Sequence, residues 1–173
     1  MHRIFISDLH LEDPKENNFL KFGECMKIES ARVDEIYILG DLVEMWSGDD
    51  DQSPTASELQ AILRAASLAC KVYIMHGNRD FLIGDRFCQE TGAELLEDPS
   101  IISIGNENVL LSHGDSFCTL DLNYQKLRPI LRSKEFQREF LQKDLKEREF
   151  ISQQMRGESK KQTEHKDEEI MDV

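Results

Sequence analysis

The chain has 173 residues and a formal net charge of −13, enough length for one domain with a real core and enough negative charge to argue against bulk binding to nucleic acid, whose phosphates it would repel. Its four cysteines, Cys25, Cys70, Cys88 and Cys118, have no CxxC spacing and sit beside apolar neighbours, which argues against a disulfide framework and predicts buried thiols in a reducing compartment. No signal peptide opens the chain and no apolar run approaches the roughly 18 residues of a membrane span, so a cytoplasmic protein is expected, with membrane contact only at its surface.

Arg3 to Ser7 reads as a first strand and Asp8 to Pro14 as the loop after it. Asn17 to about Arg32 carries Phe19, Phe22, Met26 and Ile28 near helical spacing, which predicts a helix whose apolar face covers a sheet. Ile36-Tyr37-Ile38-Leu39 is a second strand that stops abruptly at Gly40-Asp41. A glycine there lets the chain turn sharply, and the carboxylate is delivered to the mouth of the sheet. The following loop contains Asp49-Asp50-Asp51, read first as a solvated acidic loop, then as a helix cap, and only after that as a metal site. Thr55 with Glu58 forms a capping-box pattern ahead of the periodic Leu59 to Ala69, so a helix is expected to start there. Val72 to Met75 is a third strand, and the alternation of strand and helix predicts a layered α/β domain with parallel pairings. Asp85 to Thr91 reads as a short helix ended by Gly92, and Ile101 to Ile104 with Val109 to Ser112 as a hairpin. From Asp121 onward the pattern is helical, with apolar stripes through Tyr124, Leu127, Ile130 and Leu131, then Phe136, Phe140, Leu141 and Leu145, then Phe150, Ile151 and Met155, interleaved with Lys and Arg. Residues 157–169 are nearly all polar and read as a solvated helix or a frayed tail.

Four apolar runs end in the same grammar. Ile4 to Ser7 delivers Asp8-Leu9-His10, the second strand delivers Asp41, Val72 to Met75 delivers His76-Gly77-Asn78-Arg79-Asp80, and Val109 to Ser112 delivers His113-Gly114-Asp115. In open α/β sheets the crevice at the carboxyl ends of the strands binds ligands, so these side chains can share one pocket. Carboxylate, imidazole and amide donors without cysteine suit harder divalent ions such as manganese, or iron and zinc. The set is too large for one ion, and a carboxylate can bridge two ions about 3.5 to 4 Å apart. Asp41, between the Asp8/His10 pair and the Asn78/His113 pair in chain order, is the candidate bridge. The guanidinium fork of Arg79 suits a phosphate oxygen better than proton transfer, with an Arg79–Asp80 ion pair as the structural alternative or as a means of orienting Arg79 from behind.

Asp8-Leu9-His10, Gly40-Asp41, Gly77-Asn78-Arg79-Asp80 and His113-Gly114-Asp115 together resemble the D-x-H, G-D, G-N-[HR]-[DE] and H-G blocks of the calcineurin-like metallophosphoesterase superfamily. Ser7 to Leu11, Tyr37 to Leu42, Ser47 to Asp51 and His76 to Leu82 are similar to its branch of UDP-2,3-diacylglucosamine pyrophosphohydrolases of lipid A biosynthesis, and the likeness runs from Arg3 to Val173. The resemblance implies an α/β fold, a layered sheet sandwich flanked by helices, with a core over 1–119 and a helical lid over 120–173 that accommodates acyl chains. It implies two divalent metal ions, manganese first, held by Asp8, His10, Asp41, Asn78 and His113, with Asp41, Arg79 and His113 as the catalytic residues. Substrate contacts carry over to Asn78, Arg79, Asp121, Ser159, Thr163 and Lys166, although many relatives have Asn at the Thr163 position. The implied reaction is hydrolysis of a phosphoanhydride by a metal-activated water, with a UDP-diacylglucosamine lipid as substrate and UMP and 2,3-diacylglucosamine 1-phosphate (lipid X) as products. The implied location is the cytoplasmic face of the inner membrane, held peripherally and without nucleic acid; no residue pattern sets an oligomeric state.

The superfamily closes its site with a Gly-His-x-His block on a later strand, and His165, the one histidine after His113, has no strand before it. The expectation is therefore a C-terminally truncated copy, lacking the last core strands, with impaired metal loading and little activity. Two other functions stand beside the pyrophosphohydrolase: another phosphodiesterase or phosphatase of the same superfamily, and a non-catalytic metal-binding or scaffolding remnant.

Overall fold

The computed structural model describes the backbone of residues 1–163 and the side chains of residues 1–157. Four strands, β1 (Arg3–Ile6), β2 (Glu35–Leu39), β3 (Lys71–Met75) and β4 (Glu94–Leu96), form one parallel sheet in the order β1-β2-β3-β4. Parallel neighbours cannot be joined by a tight turn, and each connection carries a helix: α1 (Asn17–Glu29), α2 (Pro54–Ser67) and α3 (Asp85–Thr91). All four strands therefore end at the same edge of the sheet. The expected hairpin is present as β5 (Ser100–Ile104) paired antiparallel with β6 (Glu107–Leu111).

The central strands β2 and β3 form because their apolar side chains are largely buried on both faces. On one face Ile36 pairs with Val72 and Ile38 with Ile74, all 2% exposed or less, and each such burial contributes about 1.5–3 kcal/mol. On the other, Tyr37, Met75 and Leu111 form a buried cluster against which Leu39, Tyr73, Leu96, Ile102 and Val109 pack. Phe5, Tyr37 and Tyr73 stack across three neighbouring strands at centroid distances of 4.9 and 4.8 Å. Buried Phe19, Phe22 and Met26 of α1, and Ala56, Leu59, Leu63 and Ala66 of α2, are the inward stripes of two amphipathic helices.

The chain forms two compact units, the first running from Met1 to His113 and the second starting at Gly114. The second unit contains α4 (Leu122–Leu131), α5 (Lys134–Leu141) and α6 (Leu145–Thr163). Its polar anchor is Asp115, whose Oδ2 accepts hydrogen bonds from the Tyr124 hydroxyl, from Arg128 Nε at 2.9 Å and from Arg132 Nη2 at 3.2 Å. Burial pushes this carboxyl up, but the Arg128 and Tyr124 hydrogen bonds and the arginine charges outweigh it and hold Asp115 below the usual carboxylate range. Of the predicted stripe, Leu131 and Phe140 are buried, whereas Leu127, Ile130, Leu141 and Phe150 are exposed. Among the described residues no helix is long and apolar enough to cross a membrane.

Several expectations need correction. Helix α1 ends at Glu29 and not near Arg32, and Ile28 is exposed. Helix α2 starts at Pro54, capped by the Ser53 side chain, which accepts from Ala56 N; Thr55 is no cap, and its hydroxyl donates to Glu12 O at 2.6 Å. Proline at the first helical position makes that start favourable, since its missing N–H has no intrahelical partner there. The four thiols are free, but Cys25 is exposed and the other three are only partly buried, because Cys25 stands about a quarter-turn from the Phe19, Phe22, Met26 stripe. The three-residue β4 was not foreseen; it is too short for a period to register.

The acidic loop also departs from its solvated reading. Asp49 accepts from Trp46 Nε1 at 3.0 Å and from the backbone N–H groups of Gly84 and Phe87 at 3.0 and 2.9 Å. Gly84 is the N-cap of α3 and has no side chain to serve those orphan donors, so Asp49 supplies the cap from 35 positions earlier in the chain. Asp51 accepts from the N–H and hydroxyl of Ser53 and thereby holds the start of α2. Asp49→Ala should lower stability by about 2 kcal/mol, since two part-buried backbone donors lose their acceptor; urea unfolding followed by Trp46 fluorescence measures it.

Candidate metal centre

Each candidate ligand is held by a turn at a strand end. Beyond β1 the chain stays zipped to the segment beyond β2: Asp8 N donates to Gly40 O, His10 N to Asp41 O and Leu11 N to Leu42 O, all at 3.0–3.1 Å, and Leu11 pairs with Val43 as a lone parallel bridge. Along this zipper Asp8, His10 and Asp41 have φ of 55°, 47° and 51°. Three non-glycine residues in the left-handed region are strained, and such strain persists only where the surroundings over-determine it. Here it turns the Asp8 and Asp41 carboxylates toward one another.

The turns after β2 and β3 touch through glycines. A Cβ on Gly40, whose φ is +92°, would lie 2.6 Å from His113 Nδ1 and 2.7 Å from the Gly77 backbone, and one on Gly77 would lie 2.1 Å from Asp41 Oδ1. Asp80, fully buried, accepts from Leu42 N at 2.8 Å and Gly77 N at 2.7 Å. It ties the two turns together and does not face Arg79, which corrects the expected Arg79–Asp80 ion pair. The Arg79 guanidinium points instead toward Glu44, with Nη1 4.0 Å from Oε1, while its backbone N–H donates to Asp41 Oδ1 at 2.9 Å and its carbonyl accepts from Trp46 N.

Asp8, Asp41 and His113 offer one ligand atom each within 4.8 Å of one another. His10 Nε2 is 3.7 Å from Asp41 Oδ2, and His113 Nε2 is 3.7 Å from Asp41 Oδ1, so each oxygen of Asp41 faces one imidazole. One end of the Asn78 amide is 3.2 Å from His113 Nε2 and 2.9 Å from Asp41 Oδ2. With nitrogen at that end it donates to the carboxylate; with oxygen there it joins a ring of acceptors, the orientation a cation would select. His113 is well prepared as a ligand. Its Nδ1 is 2.9 Å from Leu39 O, which can only accept, so the proton is on Nδ1 and the Nε2 lone pair faces the cluster. Asp98, which the sequence did not single out, accepts from Ser112 Oγ and His113 N at 2.7 and 3.2 Å and fixes the strand end from behind.

The donor set fits divalent cations. Asp41 is 2% exposed, and burial pushes its carboxyl up to about 6, against the opposing pull of the Arg79 N–H and of His113 and His10. A buried anion with no cation beside it is costly, and a hard ion among carboxylate, imidazole and amide donors removes that cost.

Sequence comparison agrees. Residues 1–141 match the calcineurin-like phosphoesterase superfamily domain. The chain is 41% identical to the UDP-2,3-diacylglucosamine hydrolase of Marinobacter nauticus, covering 100% of this chain and 71% of that protein. It is 43% identical to the hydrolase of the same name from Ectopseudomonas mendocina (98% and 71% covered) and 40% identical to that of Haemophilus influenzae strain PittGG (99% and 73%). The chain belongs to the UDP-2,3-diacylglucosamine hydrolase family of calcineurin-like phosphoesterases. It is a metal-dependent hydrolase of that superfamily, and the parallel α/β sheet and the resemblance read from its motifs are borne out.

Of the predicted site residues, Asp8, His10, Asp41, Asn78, Arg79 and His113 meet at one edge of the first unit. Asp121 lies in the second unit, where its side chain accepts from Tyr124 N and caps α4. Ser159 and Thr163 are on the backbone of α6, with side chains outside the described residues, and Lys166 is outside them altogether.

Asp41 gives a pH test in chelator. Its folded carboxyl titrates above the ordinary value of 3.8, so the folded state holds the proton more tightly. Stability should therefore rise as pH falls from about 7 toward 4. Asp80, also raised by burial, adds in the same direction. Asp41→Asn should remove the Asp41 part of that slope, and a divalent ion, which competes with the proton, should invert it; denaturation midpoints across pH read both.

Proposed function

We propose that this protein hydrolyses the pyrophosphate bond of UDP-2,3-diacylglucosamine, releasing UMP and 2,3-diacylglucosamine 1-phosphate, with two manganese ions at the centre built by Asp8, His10, Asp41, Asn78 and His113. The observation that carries the reading is the double facing of Asp41, one oxygen toward His10 and the other toward His113, at 3.7 Å each. In this reading Asp8, His10, Asp41, Asn78 and His113 would hold the ions, and Asp41, which faces both imidazoles, would be the ligand common to both. When bound, the ions supply charge neutralisation at the phosphoryl oxygens and make water a stronger acid. The chain's own residues do the rest. Arg79, anchored by its N–H on Asp41 and its carbonyl on Trp46 N, holds its guanidinium beside the centre as a donor for the diphosphate. That geometry favours charge-assisted bonds to phosphate oxygens. His113, with Nδ1 on Leu39 O, turns Nε2 toward the cluster.

Asp121, Ser159, Thr163 and Lys166 are the remaining substrate contacts in this reading, and the helical unit receives the acyl chains. The exposed Leu127, Ile130, Leu141 and Phe150 support that role, since exposed apolar side chains near basic ones also suit reversible contact with an anionic membrane surface. Cytoplasmic action at the inner-membrane face follows from such a substrate.

Asp41→Ala should abolish manganese uptake and UMP release together; retention of two ions by elemental analysis of that variant rejects the shared-ligand assignment. Arg79→Lys should keep both ions and lower turnover by about 10- to 100-fold, because a point charge replaces a two-pronged donor. Full activity of that variant on the lipid substrate would rule out the clamp.

A further inference from the structure

Two histidines face Asp41, and they are secured differently. His113 is fixed by a backbone carbonyl on Nδ1. His10 is held otherwise: its buried Nδ1 lies 2.8 Å from Glu44 Oε2, within reach of a hydrogen bond that the present ring orientation does not complete. Glu44 is 13% exposed at its side chain and sits on the segment zipped to the His10 loop. Its N–H donates to Leu11 O at 3.2 Å, next to the Leu11–Val43 bridge. Its second oxygen faces Arg79 Nη1 at 4.0 Å. A carboxylate held by its backbone behind the imidazole of His10, with a guanidinium 4.0 Å from its other oxygen, is placed to orient that ring.

We propose that Glu44 is a positioning residue: its carboxylate accepts the Nδ1 proton of His10 and so presents the Nε2 lone pair to the metal. This rests on the metal-centre reading above. It goes beyond it by giving a role to a residue outside the ligand set. The contact becomes a hydrogen bond when the His10 ring turns Nδ1–H into line with Oε2, 2.8 Å away. Without Glu44, neutral His10 can carry its proton on Nε2, where it blocks coordination.

The test uses the full chain, first free of metal. Long-range ¹⁵N–¹H correlation spectra, at a pH where the imidazoles are neutral, should show His10 with its proton on Nδ1. Glu44→Ala should move that proton to Nε2, and Glu44→Gln, which keeps an acceptor, should leave it on Nδ1. Mn2+ titration by calorimetry should then show one of two binding events weakened about tenfold in Glu44→Ala and nearly restored in Glu44→Gln. Adding Glu44→Ala to His10→Ala should cost nothing further, because Glu44 acts through His10. Thermal melts separate these effects from unfolding. A His10 proton on Nε2 in the unaltered protein, an unmoved proton in Glu44→Ala, or fully additive losses in the double variant would each overturn the proposal. If the unaltered protein shows the expected His10 proton yet takes up no Mn2+, the metal centre fails and the Glu44–His10 contact stands.

Discussion

The constraint on which the centre depends is the contact between the turn after β2 and the turn after β3. Gly40 and Gly77 let the two backbones approach to a distance that leaves no room for a Cβ, and the buried Asp80 carboxylate bonds to an N–H on each. An ionised carboxylate accepting backbone donors makes charge-assisted hydrogen bonds, stronger than neutral ones. The same close approach carries Asp41 under the Arg79 N–H and against His113. Relaxing it would separate the carboxylate common to both halves of the centre from its partners.

The rest of the first unit follows from what this contact requires. Parallel pairing aligns the strand ends, and the buried Ile and Val rows of β2 and β3 set a register that admits no slip without exposing every core side chain. The zipper between the loops after β1 and β2 then extends that register past the sheet and imposes left-handed conformations on Asp8, His10 and Asp41. Strain and burial are concentrated where charge has to be held. A carboxyl pushed up to about 6 by burial is unfavourable in the isolated fold and favourable beside a cation, so the fold stores a preference for the loaded state.

Acidic side chains outside the motifs show how the first unit supports that edge. Asp49 caps α3, Asp51 holds the start of α2, Asp98 fixes the strand end before His113, and Glu44 stands behind His10. Asp49, Asp51 and Asp98 satisfy donors that the turns leave without partners. In the second unit Asp115 does the same for Tyr124, Arg128 and Arg132.

Read alone, the chain determined the parallel α/β plan, the hairpin and the identity of the six residues that meet at the sheet edge, because strand ends, glycine turns and ligand types are written locally as short apolar runs followed by Gly, Asp, Asn and His. What it left open was every relation between acids and distant donors. Asp49 looked like a solvated residue because its partners, Gly84 and Phe87, are more than thirty positions away. Asp80 looked like a partner for its neighbour Arg79 because adjacency is all a sequence displays, and Glu44 carried no mark at all. The tertiary structure decided these, since a carboxylate's role is fixed by which unpaired N–H or ring nitrogen the packing brings within about 3 Å, and packing is set by the sheet register and not by the neighbours along the chain.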